Sequence, residues 1–184
     1  MIDYTNPETQ KAINEYLTSI DSERNKRWIK VSHKFEFFNP LVATTIQGLG
    51  SLDSKLIIED ENLIKTGKPK NPWGDLKDLF TLSYLWVLGA YELIRSIEQK
   101  SKDDSLFFQG FKQDLKNVKL DFARIRIPLS KFEPASSHSD TDYSFAYPVL
   151  VSGLGLGWKI SEQFWISRRE LADKLLILFE KMST

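Results

Sequence analysis

The stretch from Leu79 to Ile97 constrains this chain more than any other. Leu79, Phe80, Leu82, Leu85, Trp86, Val87, Leu93, Ile94 and Ile97 would cover most of the circumference of a helix. A helix that is apolar nearly all round has to be enclosed by other elements, which places it in the middle of a bundle. Asp75 stands where an N-cap is needed, with Asp78 three residues on near the positive helix end, so the sequence predicts a helix from Asp75 to about Gln99. Ser83, Gly89 and Glu92 interrupt its most apolar part, Leu79 to Ile94, which at about 16 residues falls short of the roughly 20 a membrane span requires. Ser83, Gly89 and Ala90 are small enough for a neighbouring backbone to approach closely.

A second helix is predicted over 103–127. Phe108, Phe111, Leu115, Val118, Phe122 and Ile125 recur at alternating steps of three and four, which implies antiparallel packing against the helix before it. Pro128 breaks that pattern. At the N-terminus a helix over 7–20 is capped by Asn6, opens on Pro7, and carries Ile13, Tyr16, Leu17 and Ile20 on one stripe. Residues 41–65 read as two short helices divided at Gly48 and Gly50. Between Ile29 and Phe37 apolar residues alternate with Lys30, Ser32, Lys34 and Glu36, which favours a strand, although Trp28, Val31, Phe35 and Phe38 also fit a helix.

The C-terminal third changes character. Phe145 to Val151 and Gly157 to Ile160 read as two strands joined through Gly-Leu-Gly, with Phe164 to Ile166 as a third. Ser167 and Glu170 form a capping box for a last helix that docks through Leu171, Leu175, Leu178 and Phe179. Segments 65–74 and 130–142 are polar loops. The fold class that follows is α+β, predominantly α: one globular domain over 1–184, a helical bundle with a small antiparallel hairpin or three-stranded sheet near the C-terminus.

Composition bounds the function. The 184 residues are 41% hydrophobic, enough for a real core. Twenty-five lysines and arginines balance 25 aspartates and glutamates, which argues against nucleic acid or an anionic membrane as the main partner. The absence of cysteine excludes thiolate metal sites, disulfides and cysteine nucleophiles. MIDYTNPETQ has no basic start and no apolar run, so a cytoplasmic protein is expected. Trp86, Phe107 and Phe108 around the central helix pair suggest more apolar surface than one chain covers, hence self-association or a protein partner.

Three constellations could carry chemistry. Arg124, Arg126, Lys131 and Glu133 gather near the second polar loop, where arginine forks would hold a phosphate or carboxylate of a small anionic ligand. His138, Asp140 and Asp142 alternate, so an extended loop would turn them to one side and could hold a divalent metal for hydrolysis; no other cofactor is expected. Gly153, Gly155 and Gly157 fail as a phosphate loop because Trp158-Lys159-Ile160 is strand-like. Glu92 and Arg95 read as a pair at the helix rim.

Arg27 and His33 are separated by five residues. That spacing resembles the arginine, four to six residues, then histidine of HEPN-type ribonucleases, which are compact helical bundles. The resemblance covers seven residues and the helical character, with Trp28 where the family usually has a small polar residue. It implies RNA cleavage by Arg27 and His33. The first reading remains a binding or interaction module; the ribonuclease and the metal-dependent hydrolase are its alternatives.

Overall fold

A computed structural model describes residues 6–36, 38–70, 75–102, 108 and 110–182. Among these residues six helices and a three-stranded antiparallel sheet make an α+β fold that is mainly α. In chain order they are α1 (Pro7–Thr18), α2 (Ser22–Phe35), α3 (Pro40–Thr66), α4 (Leu76–Lys100), α5 (Lys112–Lys131), β1 (Tyr147–Val151), β2 (Gly155–Lys159), β3 (Trp165–Ser167) and α6 (Arg168–Met182), with a short 3-10 turn at Ser136–His138.

Local chemistry explains most of the boundaries. The Asn6 carboxamide accepts from the Glu8 N–H at 2.8 Å at the start of α1; the burial of Ile13, Tyr16 and Leu17 lies outside what is described. Asp75 and Asp78 close a capping box on α4, and Ser167 and Glu170 close one on α6. The β1–β2 hairpin turns through Ser152, Gly153 and Leu154, with Gly153 at φ +73. No helix among the described residues is long and apolar enough to cross a membrane.

Four expectations are corrected. Residues 29–36 are not a strand: α2 is helical to Phe35, capped by Asp21, and it buries Trp28, Val31 and Phe35 at helical spacing, while Phe37 lies outside the described residues. The period-2 alternation there is incidental, because the same residues satisfy both periods and packing against α3 and α6 selects one. Nor is 41–65 two helices. Asn39 caps one continuous α3, and Gly50 is a packing site, since a Cβ there would lie 2.3 Å from Trp28 Cβ. Pro128 does not end α5, which continues to Lys131 with the proline buried on its inner side. Among the described residues that helix starts at Lys112, with Phe108, Gly110 and Phe111 in turns; residues 103–107 and 109 lie outside the described ones.

The core is continuous. Trp28, Trp86, Phe108, Phe122, Trp158 and Phe179 are essentially sealed from solvent. Covering Trp86 and Phe108 within the chain removes them from the argument for self-association, and Phe107 lies outside the described residues. Strand order is β1-β2-β3, with β2 packed on α3, α4 and α6.

Candidate functional site

The deepest charges among the described residues form one network, in which Arg24 Nη2 and Arg168 Nε find no partner among those residues. Asp53 and Asp60 lie two turns apart on the inward face of α3, and Arg168, the first residue of α6, bridges them through Nη1 and Nη2. Asp53 also accepts from Arg24 Nε and from the Trp28 indole at 2.9 Å, while Asp60 accepts the Leu156 N–H of β2 at 2.9 Å. Arg24 continues to Asp173 at 2.6 Å. Burial pushes the Asp60 carboxyl above the usual aspartate range, against the pull of Arg168 and the Leu156 N–H. Gly155 is required beside it, because a Cβ would meet Asp60 Cγ at 2.3 Å. This network ties α2, α3, α6 and β2 together, and Arg168, Asp53 and Asp60 are closed to solvent, so it holds the architecture rather than a ligand.

The residues singled out from sequence are dispersed. Arg124 and Arg126 are two positions apart on a helix, which separates their directions by about 160°. The Arg124 fork is held by both oxygens of Asp142, at 2.8 and 2.9 Å, and lies 4.1 Å over the Phe164 ring. Arg126 instead approaches Glu92 at 3.8 Å and sits over Tyr91. Lys131 and Glu133 pair with each other at the surface. No anion pocket is assembled from these four. Glu92 and Arg95 are the half-exposed rim pair the sequence suggested, 2.7 Å apart.

His138, Asp140 and Asp142 do not form an extended row. The Asp142 N–H bonds back to the His138 carbonyl at 2.9 Å, making a tight turn in which alternate side chains no longer share a side. Asp142 is committed to Arg124, whose hydrogen bonds and charge hold its carboxyl below the usual range although burial opposes this. Among the described residues no three histidine, aspartate or glutamate side chains are placed to hold a metal. Arg27 and His33 stand about 120° apart around α2. Arg27 is clamped by Glu180 at 2.7 and 2.9 Å, and His33 faces Glu36 at 2.7 Å.

Two surface features remain, side by side. A cleft between α5, β3 and α6 is lined by Asp121, Arg124, Phe164, Trp165, Glu170 and Lys174, among others. Its charges satisfy one another: Lys174 meets Asp121 at 2.6 Å, Arg124 meets Asp142, and Glu170 caps α6. Beside it the sheet turns an aromatic row outward. Tyr147, Lys159 and Trp165 are direct cross-strand partners, so their side chains share one face. Tyr147 and Trp165 are 53% and 52% exposed.

The row is extended on the β1 side. Tyr143 packs edge-on against Tyr147 at 5.6 Å, and its hydroxyl donates to Glu162 at 2.6 Å, a bond that pushes its pKa up to about 12. Glu162 also draws the Lys159 ammonium aside at 3.8 Å. Phe132 and Phe145 stack 5.6 Å apart, at 64% and 52% exposure. Phe132 does so from the left-handed region, φ 58, at the C-cap of α5 where glycine is the usual residue. The aromatic spacing was visible in sequence, but its convergence depends on strand register.

Neither a family model, nor a curated protein, nor a solved structure matches the chain.

Proposed function

We propose that this protein is a non-catalytic interaction module that binds another polypeptide through the outer face of its sheet. The observation that carries the reading is the Tyr147–Lys159–Trp165 row, exposed and extended by Tyr143 against Tyr147, with the Phe132–Phe145 pair as a second exposed aromatic cluster. Exposed aromatic patches of this kind mark binding surfaces, because each ring offers large apolar area at little conformational cost. The left-handed Phe132 adds to this. A non-glycine residue at such a dihedral is disfavoured by about 1 kcal/mol, and here the residue so placed presents a ring to solvent.

Charge chooses among partner classes. Lys159 pairs with Glu162, Lys131 with Glu133 and Arg124 with Asp142, so the cations around the face come with their own anions. A polyanion needs an excess of positive charge; a neutral polypeptide surface does not. The free edge of β1 carries Pro148, which lacks the N–H that strand addition would use, so the face rather than the edge is the binding element.

Selection from a phage-displayed random peptide library tests this. Peptides retained by the wild type should lose about tenfold in affinity on Trp165→Ala, with an unchanged melting temperature. A library that yields no peptide dependent on Trp165 would overturn the reading.

A further inference from the structure

We infer that the cleft between α5, β3 and α6 takes an arginine side chain of the partner polypeptide, stacked on Trp165 and held by Asp121 and Glu170; this rests on the interaction-module reading above. Trp165 belongs to both surface features, because it ends the aromatic row and also lines the cleft. Charge selects the occupant. Lys159 of the row is matched by Glu162, but the cleft is not balanced. Asp121, Glu170 and the Arg124-bound Asp142 stand against Arg124 and Lys174, three carboxylates to two cations. The bonds within the cleft also leave acceptors over. Asp121 gives only Oδ2 to Lys174, and Glu170 uses only Oε2, which accepts from the Ser167 N–H and hydroxyl. Asp121 Oδ1 and Glu170 Oε1 have no partner among the described residues. An anion would need Arg124 and Lys174 as its holders, yet each is already neutralised by a carboxylate, whereas Glu170 has no cationic partner among the described residues.

The rings point the same way. One residue before Trp165 the molecule builds such a site for itself: the Arg124 guanidinium lies 4.1 Å over Phe164 while Asp142 grips its fork at 2.8 and 2.9 Å. Trp165 offers the same ingredients unused. Its ring is 52% exposed, carries no cation or ring contact among the described residues, and lines one cleft with two carboxylates that each have an oxygen to spare. Indole gives the strongest cation–π attraction of the aromatic side chains. The planar guanidinium, with five donors, stacks on it while reaching both oxygens; an ammonium is a point charge and does not stack. Lys174 is then a placeholder. It and Asp121 are both about half-exposed, so their pair is worth little and exchanges readily for a ligand's cation.

The test uses the full chain and end-blocked glycine-serine decapeptides that differ only at one central residue: arginine, citrulline, lysine or glutamate. Citrulline keeps the shape of arginine and removes its charge. Binding is followed through the Trp165 indole resonance in NMR titrations. Arginine should bind about tenfold more tightly than citrulline, with lysine between them and glutamate weakest. Asp121→Asn should cut the preference for arginine over citrulline about threefold, and Lys174→Met should tighten arginine binding about threefold, both at an unchanged melting temperature. Equal affinity for arginine and citrulline, a preference for glutamate, or an arginine affinity that falls in Lys174→Met overturns the inference. If library peptides bind in a Trp165-dependent way while the arginine decapeptide does not bind, the interaction module stands and the arginine site falls. If neither binds, both fall.

Discussion

Arg168 and Asp53 face each other in the centre of the molecule, both wholly removed from solvent, 115 positions apart in sequence. Asp53 is the shared acceptor of two guanidinium groups and an indole. Asp53→Ala should therefore destabilise the fold by about 3–5 kcal/mol, because it leaves Arg24 and Arg168 buried without their acceptor. Urea unfolding checks this. A loss below about 1 kcal/mol would mean the network relaxes or hydrates, and that its role in holding the architecture is overstated.

Gly153 and Gly155 allow a paired measurement in one hairpin. Both have positive φ, but nothing lies near a Cβ at Gly153, whereas at Gly155 it would strike Asp60. Gly153→Ala should cost about 1 kcal/mol from its dihedral alone. Gly155→Ala should cost that and about 1–3 kcal/mol more from the collision. Equal costs in urea titrations would show that Asp60 can move aside.

Stability should fall in acid partly through Asp142. Its folded pKa lies below the ordinary value of 3.8, so its contribution is present above that value and is lost as pH falls through the depressed one. Asp142→Asn should be less stable than the wild type at pH 7, and the gap should close below about pH 4 as the wild-type carboxyl protonates. A gap that stays constant down to pH 2 would remove Arg124–Asp142 from the acid response.

Much of the fold could be read from local signals, because caps and turns are local. Asn6, Asp75 and Ser167 sit where their helices begin, and the three strands fall within two residues of their expected places. What escaped depends on distant partners. Whether α2 was helix or strand could not be settled by a segment satisfying both periods; Trp28 lying on Gly50 settles it. Gly50 itself looked like a break because glycine's packing role is invisible without the ring above it.

The buried charges had a signal that individual residues hide. Ile46, Gly50, Asp53, Ile57 and Asp60 are spaced by alternating fours and threes, so two aspartates occupy core positions of an otherwise apolar stripe. The candidate arginines misled for a simple geometric reason: neighbours two apart on a helix point to different sides. The aromatic residues of the sheet were all in view, but only the pairing of Tyr147 with Lys159 and Lys159 with Trp165 turns them into one surface.

Phe132 invites a test of whether that surface is held at some expense of stability. In a Phe145→Ala background, where its stacking partner is gone, Phe132→Gly should raise stability by about 1 kcal/mol, since glycine adopts the left-handed C-cap freely. The same change should weaken peptide binding. A stability loss would indicate that the ring makes contacts beyond Phe145.

The ribonuclease alternative makes opposite demands on α2. Arg27→Ala and His33→Ala, which break surface pairs with Glu180 and Glu36, should each cost at most about 1 kcal/mol. Purified wild-type protein should leave single-stranded RNA intact. RNA cleavage abolished by His33→Ala, with the melting curve unchanged, would reinstate that reading.

The bridge from Arg168 to α3 also sets an order on biosynthesis. Asp53 and Asp60 leave the ribosome more than a hundred residues before the guanidinium that bridges them. Until α6 emerges, α3 presents two carboxylates along the side that must become interior, so the first 167 residues lack the guanidinium that bridges them. A nascent chain stalled before Arg168 therefore exposes its apolar helices, and chaperones and proteases would distinguish it from the finished protein.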